Sequence, residues 1–147
     1  MSGLNVRPLA ARDEQRWREL FEGYVTFYEA SVPDTVVALT WRRLLAGEDG
    51  MAALVAVDEA DRPIGLAHLV FHRSTWTETW YCYLEDLFVD PGIRRAGVGR
   101  ALIDATYAEA TRRGATRTYW ATQETNKTAR RLYDSVGVLT EFVQYRR

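Results

Sequence analysis

The chain has 147 residues, 47% of them hydrophobic, which suffices for a core and a cleft, and we expect a single domain over residues 1–147. Its formal net charge of −1, with 19 basic residues spread along the chain, argues against general binding to nucleic acid or to an anionic membrane. Cys82 is the only cysteine, so no intramolecular disulfide can form, and without a signal-peptide pattern or a run of about 20 apolar residues we expect a cytoplasmic protein that spans no membrane.

Hydrophobic periodicity predicts a short strand and then two helices in the first third of the chain. Residues 4–8 alternate between apolar and polar types, as strand residues do. Aromatic and leucine side chains then recur at three- and four-residue steps, which predicts an amphipathic helix over about residues 13–30. Pro33 ends this helix, and the next apolar stripe predicts a second helix that stops in the glycine-bearing segment 47–50.

The rest of the chain predicts strands interrupted by two helices. Short runs of apolar and β-branched residues between turn residues predict strands over 52–57, 64–71, 81–89, 116–121 and 141–145. Helical spacing predicts helices over 98–113 and 127–136. A strand, a glycine turn, a helix and a strand in succession form a parallel βαβ unit. The sequence therefore predicts one α/β domain, with a mixed, mostly antiparallel twisted sheet, a central parallel βαβ unit and about four flanking helices.

A glycine turn with flanking arginines joins the strand at 81–89 to the helix that follows. The segment is Arg94-Arg95-Ala96-Gly97-Val98-Gly99-Arg100. Glycine allows a tight turn and lets a ligand approach main-chain N–H groups, and a helix start offers unpaired N–H groups to an anion. The sequence therefore predicts a phosphate site, although a lone Gly-x-Gly can also serve only to turn the chain. No Gly-x-x-x-x-Gly-Lys pattern is present and Leu102 breaks the dinucleotide fingerprint, which argues against ATP and NAD.

Two motifs resemble the GNAT family of N-acetyltransferases. The turn Arg94-x-x-Gly97-x-Gly99, after a strand that ends Leu87-Phe88-Val89-Asp90-Pro91, is similar to the family signature Gln/Arg-x-x-Gly-x-Gly/Ala. Further along, Asn126-x-x-Ala129-x-x-Leu132-Tyr133 is similar to the family's Asn-x-x-Ala-x-x-Leu-Tyr helix motif. The strand over 81–90 also resembles the branch that holds the yeast histone/polyamine and D-amino-acid N-acetyltransferases, and the spermidine/spermine- and thialysine-type enzymes.

This resemblance implies an enzyme that uses acetyl-CoA as co-substrate. His68 and His72 have no third ligand in pattern, so we expect no metal. The resemblance implies that the pyrophosphate lies on the main-chain amides of the glycine turn. It also implies that the pantetheine arm lies as an added strand between the strands at 81–89 and 116–123. The residues that it implicates in acetyl-CoA binding are Leu87, Phe88, Val89, Arg94, Arg95, Ala96, Gly97, Val98, Gly99, Arg100, Asn126, Ala129 and Tyr133.

Acyl transfer from a thioester to an amine needs a base for the amine and an acid for the leaving thiolate. The resemblance implies that Tyr133 is the acid, with simple packing on the apolar helix face as the alternative. It implies that Glu85 is the base, directly or through water, with a carboxylate that only organises nearby backbone groups as the alternative. Asp86 or water alone stays open as the base, because successive strand residues point to opposite faces unless a bulge intervenes. Cys82 is not needed as a nucleophile and is predicted to be a core residue.

The acceptor side is expected to be lined by the first two helices and by the loop near residues 72–80. Aromatic rings and carboxylates there suit a cationic amine. The candidate substrate-binding residues are Phe27, Tyr28, Glu29, His72, Trp76 and Glu85. Tyr24 and Trp41 lie on helical stripes and are predicted to pack in the core, and His68 is predicted to be a hydrogen-bonded hairpin histidine.

We expect the acceptor to be the primary amine of a small molecule: a polyamine, an amino acid or a lysine-like side chain. A non-catalytic acyl-CoA-binding sensor is one alternative, and acetylation of a protein lysine or N-terminus is another. Many members of the family have two strands after the tyrosine helix, whereas only residues 141–145 are predicted here. An uncovered sheet edge can be covered by a second copy, so we expect a homodimer.

Overall fold

The apolar runs of the sequence form one five-stranded sheet in the computed structural model, which describes residues 4–93 and 95–147. The strands are β1 (Asn5–Pro8), β2 (Met51–Val57), β3 (Pro63–Arg73), β4 (Trp80–Val89) and β5 (Ala115–Tyr119). The helices are α1 (Glu14–Phe27), α2 (Asp34–Ala46), α3 (Val98–Arg112) and α4 (Lys127–Val136). The predicted α/β class is therefore confirmed, and the predicted elements have the observed order as far as α4.

The sheet is mixed, as predicted. Its strand order is β1-β2-β3-β4-β5, in which β4 and β5 are parallel and all other neighbours are antiparallel. The parallel pair lies at one end of the sheet and not in its centre. In the described residues β4 pairs with β5 only from Trp80 to Tyr83, while β4 continues to Val89. The second half of β4 therefore extends beyond its pairing with β5.

The strand predicted over residues 141–145 is wrong. In the described residues, α4 is followed by no further strand or helix, and the apolar residues of this tail expose at least 72% of their side chains. Those residues are Val138, Leu139, Phe142, Val143 and Tyr145. Strand-forming residues need a neighbouring strand to bond their backbone groups. The single chain does not bring the tail into register with the edge of β5.

Helices cover both faces of the sheet, which explains why β2 and β3 are almost continuously buried. One apolar cluster joins the sheet to α3 and contains Cys82, Leu84 and Leu102. The other joins it to α1 and α2 and contains Trp17 and Trp41. Burial raises the pKa of the Cys82 thiol to about 11, so the predicted core role of this cysteine is confirmed. Among the described helices, none is long and apolar enough to cross a membrane.

Candidate active site

A bulge in β4 determines where its two consecutive carboxylates lie. Across the β3–β4 pair, His68 faces Asp86 and Leu69 faces Leu84, so Glu85 is the extra residue. A bulge interrupts the alternation of side chains between the two faces of a strand. Of the two carboxylates, Asp86 is directed to His68, with its Oδ2 atom 2.8 Å from His68 Nδ1.

Both carboxylates raise the pKa of the same two tyrosines, Tyr24 and Tyr83. Burial raises the pKa of Tyr24 on α1, and the neighbouring Asp86 and Glu85 raise it further. Burial likewise raises the pKa of Tyr83 on β4, and Glu85 and Asp86 again add to the effect. The pKa of Glu85 itself is raised, first by partial desolvation and then by the negative charge of Asp86. Two carboxylates and two phenols therefore share one neighbourhood on the α1 side of the sheet.

Tyr133 on α4 is linked to this group by Tyr28, the residue that follows α1. The ring of Tyr28 is 5.0 Å from that of Tyr24, which is 6.0 Å from Phe88 of β4. Burial raises the pKa of Tyr133, and the neighbouring Tyr28 raises it further. A phenol is protonated at neutral pH, so Tyr133 has a proton to donate to a developing thiolate, and its raised pKa makes it a weaker acid than an exposed phenol.

Tyr133 also packs on other aromatic residues. Its ring is 5.5 Å from that of Trp120, in an edge-on arrangement, and Trp120 in turn contacts Tyr107 of α3. The Tyr107 hydroxyl donates a hydrogen bond of 2.6 Å to the carbonyl of Val136, the last residue of α4. The contact with Trp120 holds the Tyr133 ring, whereas the Tyr107 hydroxyl ties only the end of α4 to α3, so packing and proton donation by Tyr133 are compatible.

The glycine turn forms the start of α3. Gly97 precedes the helix with a φ of 86°, a left-handed conformation that glycine adopts without strain. A Cβ atom on Gly97 would meet no atom within 4 Å, so the space beside it is open. The N–H of Ala101 donates to the carbonyl of Gly97, and so the N–H groups of residues 98–100 have no acceptor within the helix. Such a helix start can bind an anion.

The other residues predicted at the turn have different surroundings. Arg95 lies 3.4 Å from the carboxylate of Glu59, and Arg100 donates a hydrogen bond of 2.7 Å to the Ser135 hydroxyl on α4. Ala96 is exposed, whereas the side chain of Val98 is buried in the core. Arg94, which is also predicted to bind the pyrophosphate, lies outside the described residues.

Gly99 and Asn126 have structural roles that the motif spacing does not reveal. A Cβ atom on Gly99 would lie 3.1 Å from Leu132, so glycine at this position lets α3 approach α4 closely. The side chain of Asn126 caps α4 by accepting a hydrogen bond of 3.4 Å from the N–H of Ala129. Gly99 therefore sets how closely α4 packs on α3, and Asn126 stabilises the start of the helix that carries Tyr133.

The arrangement fits acetyl-CoA, whose reactive part is an acetyl thioester. The segment of β4 that contains Leu87, Phe88 and Val89 runs beyond the end of β5, where an extended ligand can add to the strand. The open space at Gly97 and the free amides of α3 suit a pyrophosphate. Among the described residues, no group of three or more His, Cys, Asp or Glu side chains is arranged to hold a metal ion.

The candidate substrate-binding residues are only partly brought together. Phe27 is 61% exposed and its ring is 5.1 Å from Tyr28, and the exposed Glu29 follows at the end of α1 with a φ of 53°. A groove of about 550 Å³ beside α1 is lined by Phe27 and Phe88 but not by Glu85 or Tyr133. This groove therefore lies beside the group of carboxylates and tyrosines and does not contain it.

His72 lies next to Tyr119, which in turn packs on Tyr83 of the carboxylate and tyrosine group. The His72 Nε2 atom is 2.6 Å from the Tyr119 hydroxyl, and the Tyr119 ring stacks on Tyr83 at 4.9 Å. Trp76 is 90% exposed in the loop between β3 and β4. In the described residues no ring contact links Trp76 to the tyrosines.

Three residues of this site are not predicted from the sequence. Tyr24, expected in the core, is half-buried and lies beside Asp86; its spacing of four residues from Tyr28 is the signal that places both on one helix face. Tyr83 and Tyr119 come together only because β4 and β5 pair in parallel. His68, in contrast, is the buried and hydrogen-bonded histidine that the sequence predicts.

Comparison with known proteins decides the family. The model of the Acetyltransferase (GNAT) family matches residues 17–138. The chain belongs to the GNAT acetyltransferase family. It is 32% identical over 143 residues to the D-amino-acid N-acetyltransferase HPA3 of Saccharomyces cerevisiae, which covers 97% of this chain and 89% of that protein. It is 36% identical over 76 residues to the thialysine N-epsilon-acetyltransferase of Caenorhabditis elegans, covering 52% of this chain and 47% of that protein.

Solved structures show the same fold. A probable acetyltransferase matches with a TM-score of 0.84 and 24% identity over 97% of this chain and 96% of its own. AAC(6')-Iy in complex with a bisubstrate analogue matches with a TM-score of 0.84 and 22% identity over 99% of this chain and 98% of its own. The predicted GNAT fold and family are confirmed, and the protein is an acetyl-CoA-dependent N-acetyltransferase.

Gly97 and Gly114 flank α3 and provide a matched pair of substitutions. Both have a positive φ, of 86° and 81°, and a Cβ atom would meet nothing within 4 Å at either position. Alanine at either position is expected to lower the free energy of unfolding by ~1 kcal/mol through backbone strain. Only Gly97→Ala is expected to weaken acetyl-CoA binding, by about tenfold, because its methyl group occupies the predicted phosphate space. Thermal unfolding and calorimetric titration measure the two effects; equal affinities would place the pyrophosphate elsewhere.

Proposed function

We propose that the enzyme transfers the acetyl group of acetyl-CoA to the primary amine of a small molecule by direct attack within a ternary complex. The observation that carries this proposal is the group on the α1 side of β4, in which Glu85 and Asp86 lie beside Tyr24 and Tyr83. Carboxylates and the faces of aromatic rings attract a cationic ammonium group, which is the form of a primary amine at neutral pH.

Among a polyamine, an amino acid and a lysine-like side chain, we favour an amino acid. The named activities of the yeast and worm relatives concern D-amino acids and thialysine. An amino acid also carries a carboxylate, and positive charge is present at the tyrosine surface. Arg146 is near enough to Tyr83 to lower its pKa, although burial and the two carboxylates raise that pKa by more. Arg117 lies 4.5 Å above the ring of Tyr81.

The proposed roles follow from proton balance. Glu85, with its raised pKa, accepts the proton that the ammonium group must lose, directly or through a water molecule. The amine nitrogen then forms a bond to the acetyl carbon while the carbon–sulfur bond breaks. Tyr133 donates its phenolic proton to the departing thiolate. Cys82 takes no part, because its buried thiol has a pKa of about 11.

A panel of amines tests the proposed acceptor. Thiol release from acetyl-CoA is measured with D- and L-amino acids, thialysine, spermidine and a lysine-containing peptide. We expect kcat/KM to be about tenfold higher or more for the best free amino acid than for spermidine or the peptide, because only the free amino acid carries both charges on one small molecule. Activity with the peptide alone would favour protein acetylation, and tight acetyl-CoA binding without release to any amine would favour a sensor.

Replacing Tyr133 by phenylalanine tests the proposed acid. The change removes the hydroxyl and keeps the contact with Trp120, so we expect kcat to fall about 100-fold while acetyl-CoA affinity is nearly unchanged. Tyr107→Phe is the matched control, because Tyr107 contacts the same tryptophan and its hydroxyl bonds to the backbone of Val136. The control is expected to lose about 1 kcal/mol of stability and to keep its kcat. Full activity of Tyr133→Phe would leave this tyrosine only a packing role.

We also propose that the protein is a homodimer in which the tail at residues 137–147 of one copy covers the other. The tail contains exposed apolar residues of β-branched and aromatic types that favour strands, and in the described residues β5 is the strand at that edge of the sheet. A surface of this kind is stabilised when a second copy buries it.

Sedimentation measures the predicted association. We expect a dimer at micromolar concentration, and a shift toward monomer when Phe142, which is 82% exposed, is replaced by glutamate. Thr140→Glu adds the same charge to a polar exposed position of the same tail and is expected to leave the dimer intact. A monomer at all micromolar concentrations would refute the association.

A further inference from the structure

We propose that a buried hydrogen-bonded chain, Trp17–His68–Asp86, is a positioning device for the acetyl transfer: it keeps Asp86 as a negative charge beside Glu85. This inference rests on the proposed function, in which Glu85 is the base. The hydrogen-bonded chain links three elements, α1, β3 and β4, and it ends next to the bulge in β4.

The direction of each hydrogen bond follows from the chemistry of the indole group. The Trp17 Nε1 atom lies 3.0 Å from His68 Nε2, and indole nitrogen can only donate a hydrogen bond. His68 Nε2 must therefore accept, so the imidazole is neutral and carries its proton on Nδ1. That Nδ1–H group lies 2.8 Å from Asp86 Oδ2 and donates to it. Asp86 is consequently the carboxylate at the end of a chain of donors.

The hydrogen-bonded chain is buried at Trp17 and His68 and partly exposed at Asp86. Trp17 is fully buried, the His68 side chain is 4% exposed and the Asp86 side chain is 19% exposed. Burial of polar groups costs free energy unless they are hydrogen-bonded, and apolar residues would fill the same core without that cost. The bonds of the chain compensate for this cost and place a charge at the surface where the substrate amine is proposed to bind.

Several groups face the two carboxylates. They are Tyr24 from α1, His68 from β3 and Tyr83 from β4. If His68 were an imidazolium, its positive charge would offset the effect of Asp86 on Glu85. The indole N–H of Trp17 opposes that state, because it would meet a second N–H at Nε2. The net negative charge of Asp86 then adds to partial desolvation in raising the pKa of Glu85, toward the working pH that a general base requires.

The same geometry distinguishes the two carboxylates. Asp86 has one oxygen occupied by His68, whereas Glu85 is the exposed extra residue of the bulge. Asp86 therefore acts through its charge, and Glu85 is the carboxylate that is free to take a proton from the amine.

The pH profile of kcat/KM tests the device. Trp17→Phe keeps an aromatic ring against Phe21, which now stacks on Trp17 at 5.2 Å, but removes the indole N–H, so His68 can become an imidazolium. The base then loses its proton at lower pH, and the acid limb of the profile moves to lower pH. We expect kcat/KM at the acid end, relative to the plateau, to rise roughly three- to tenfold, the effect of one nearby unit charge. Asp86→Asn removes the charge directly and is expected to move the limb in the same direction.

Trp41→Phe is the matched control. Trp41 lies 5.4 Å from Trp17 in the same core and stands outside the hydrogen-bonded chain, so its replacement changes core volume to the same extent. We expect the acid limb to stay in place in this variant. If Trp17→Phe and Asp86→Asn move the limb no further than Trp41→Phe, the positioning role is refuted.

Glu85→Gln separates this inference from the proposed function. We expect kcat/KM to fall about 100-fold or more and the acid limb to disappear. Full activity of Glu85→Gln would refute the base, and with it the function of the chain. Nitrogen-15 NMR of the His68 ring gives a readout that does not depend on activity. The wild-type ring is expected to carry its proton on Nδ1 and to accept a hydrogen bond at Nε2; a proton on Nε2 in the wild type would overturn the proposed hydrogen-bonded chain.

Discussion

The arrangement of β4 is the constraint on which the rest of the site depends. Its first four residues pair with β5, and its remaining length runs beyond that partner. Two residues after the last pair with β5, the bulge at Glu85 interrupts the alternation of side chains. An uninterrupted strand would direct Glu85 and Asp86 to opposite faces of the sheet. The bulge instead lets both carboxylates act on the tyrosines of the α1 side, while backbone groups next to them remain open to a ligand.

The helices contribute to the site around β4 from both faces of the sheet. On one face, α1 places Tyr24 beside the carboxylates and buries Trp17 against the sheet, and Tyr28 packs on Tyr24 at the end of the helix. On the other, α3 presents its free amide groups at the glycine turn, and its contact with α4 at Gly99 brings Tyr133 toward the same space. A single sheet therefore receives its proposed base, its proposed acid and its proposed phosphate site from three separate segments.

Helices and turns are predicted well from this sequence. The range 127–136 agrees with α4, and the glycines at 97 and 114 mark both ends of α3 with the positive φ expected of them. These features depend on contacts within a few residues, which local spacing encodes. The tail is the opposite case: residues 141–145 have a strand-like composition, but a strand forms only where another strand offers its edge, and composition does not say whether one does.

The sequence by itself determined the class of fold, the GNAT family and its co-substrate, because each rests on short motifs that require particular residue types at fixed spacing. Only the tertiary structure decided how the two carboxylates and their neighbouring tyrosines are brought together. The bulge at Glu85 is a property of the pairing between β3 and β4, and the bonds of His68 to Trp17 and Asp86 span 51 and 18 residues of sequence. Such contacts follow from strand register and helix packing, which no local pattern of residues records.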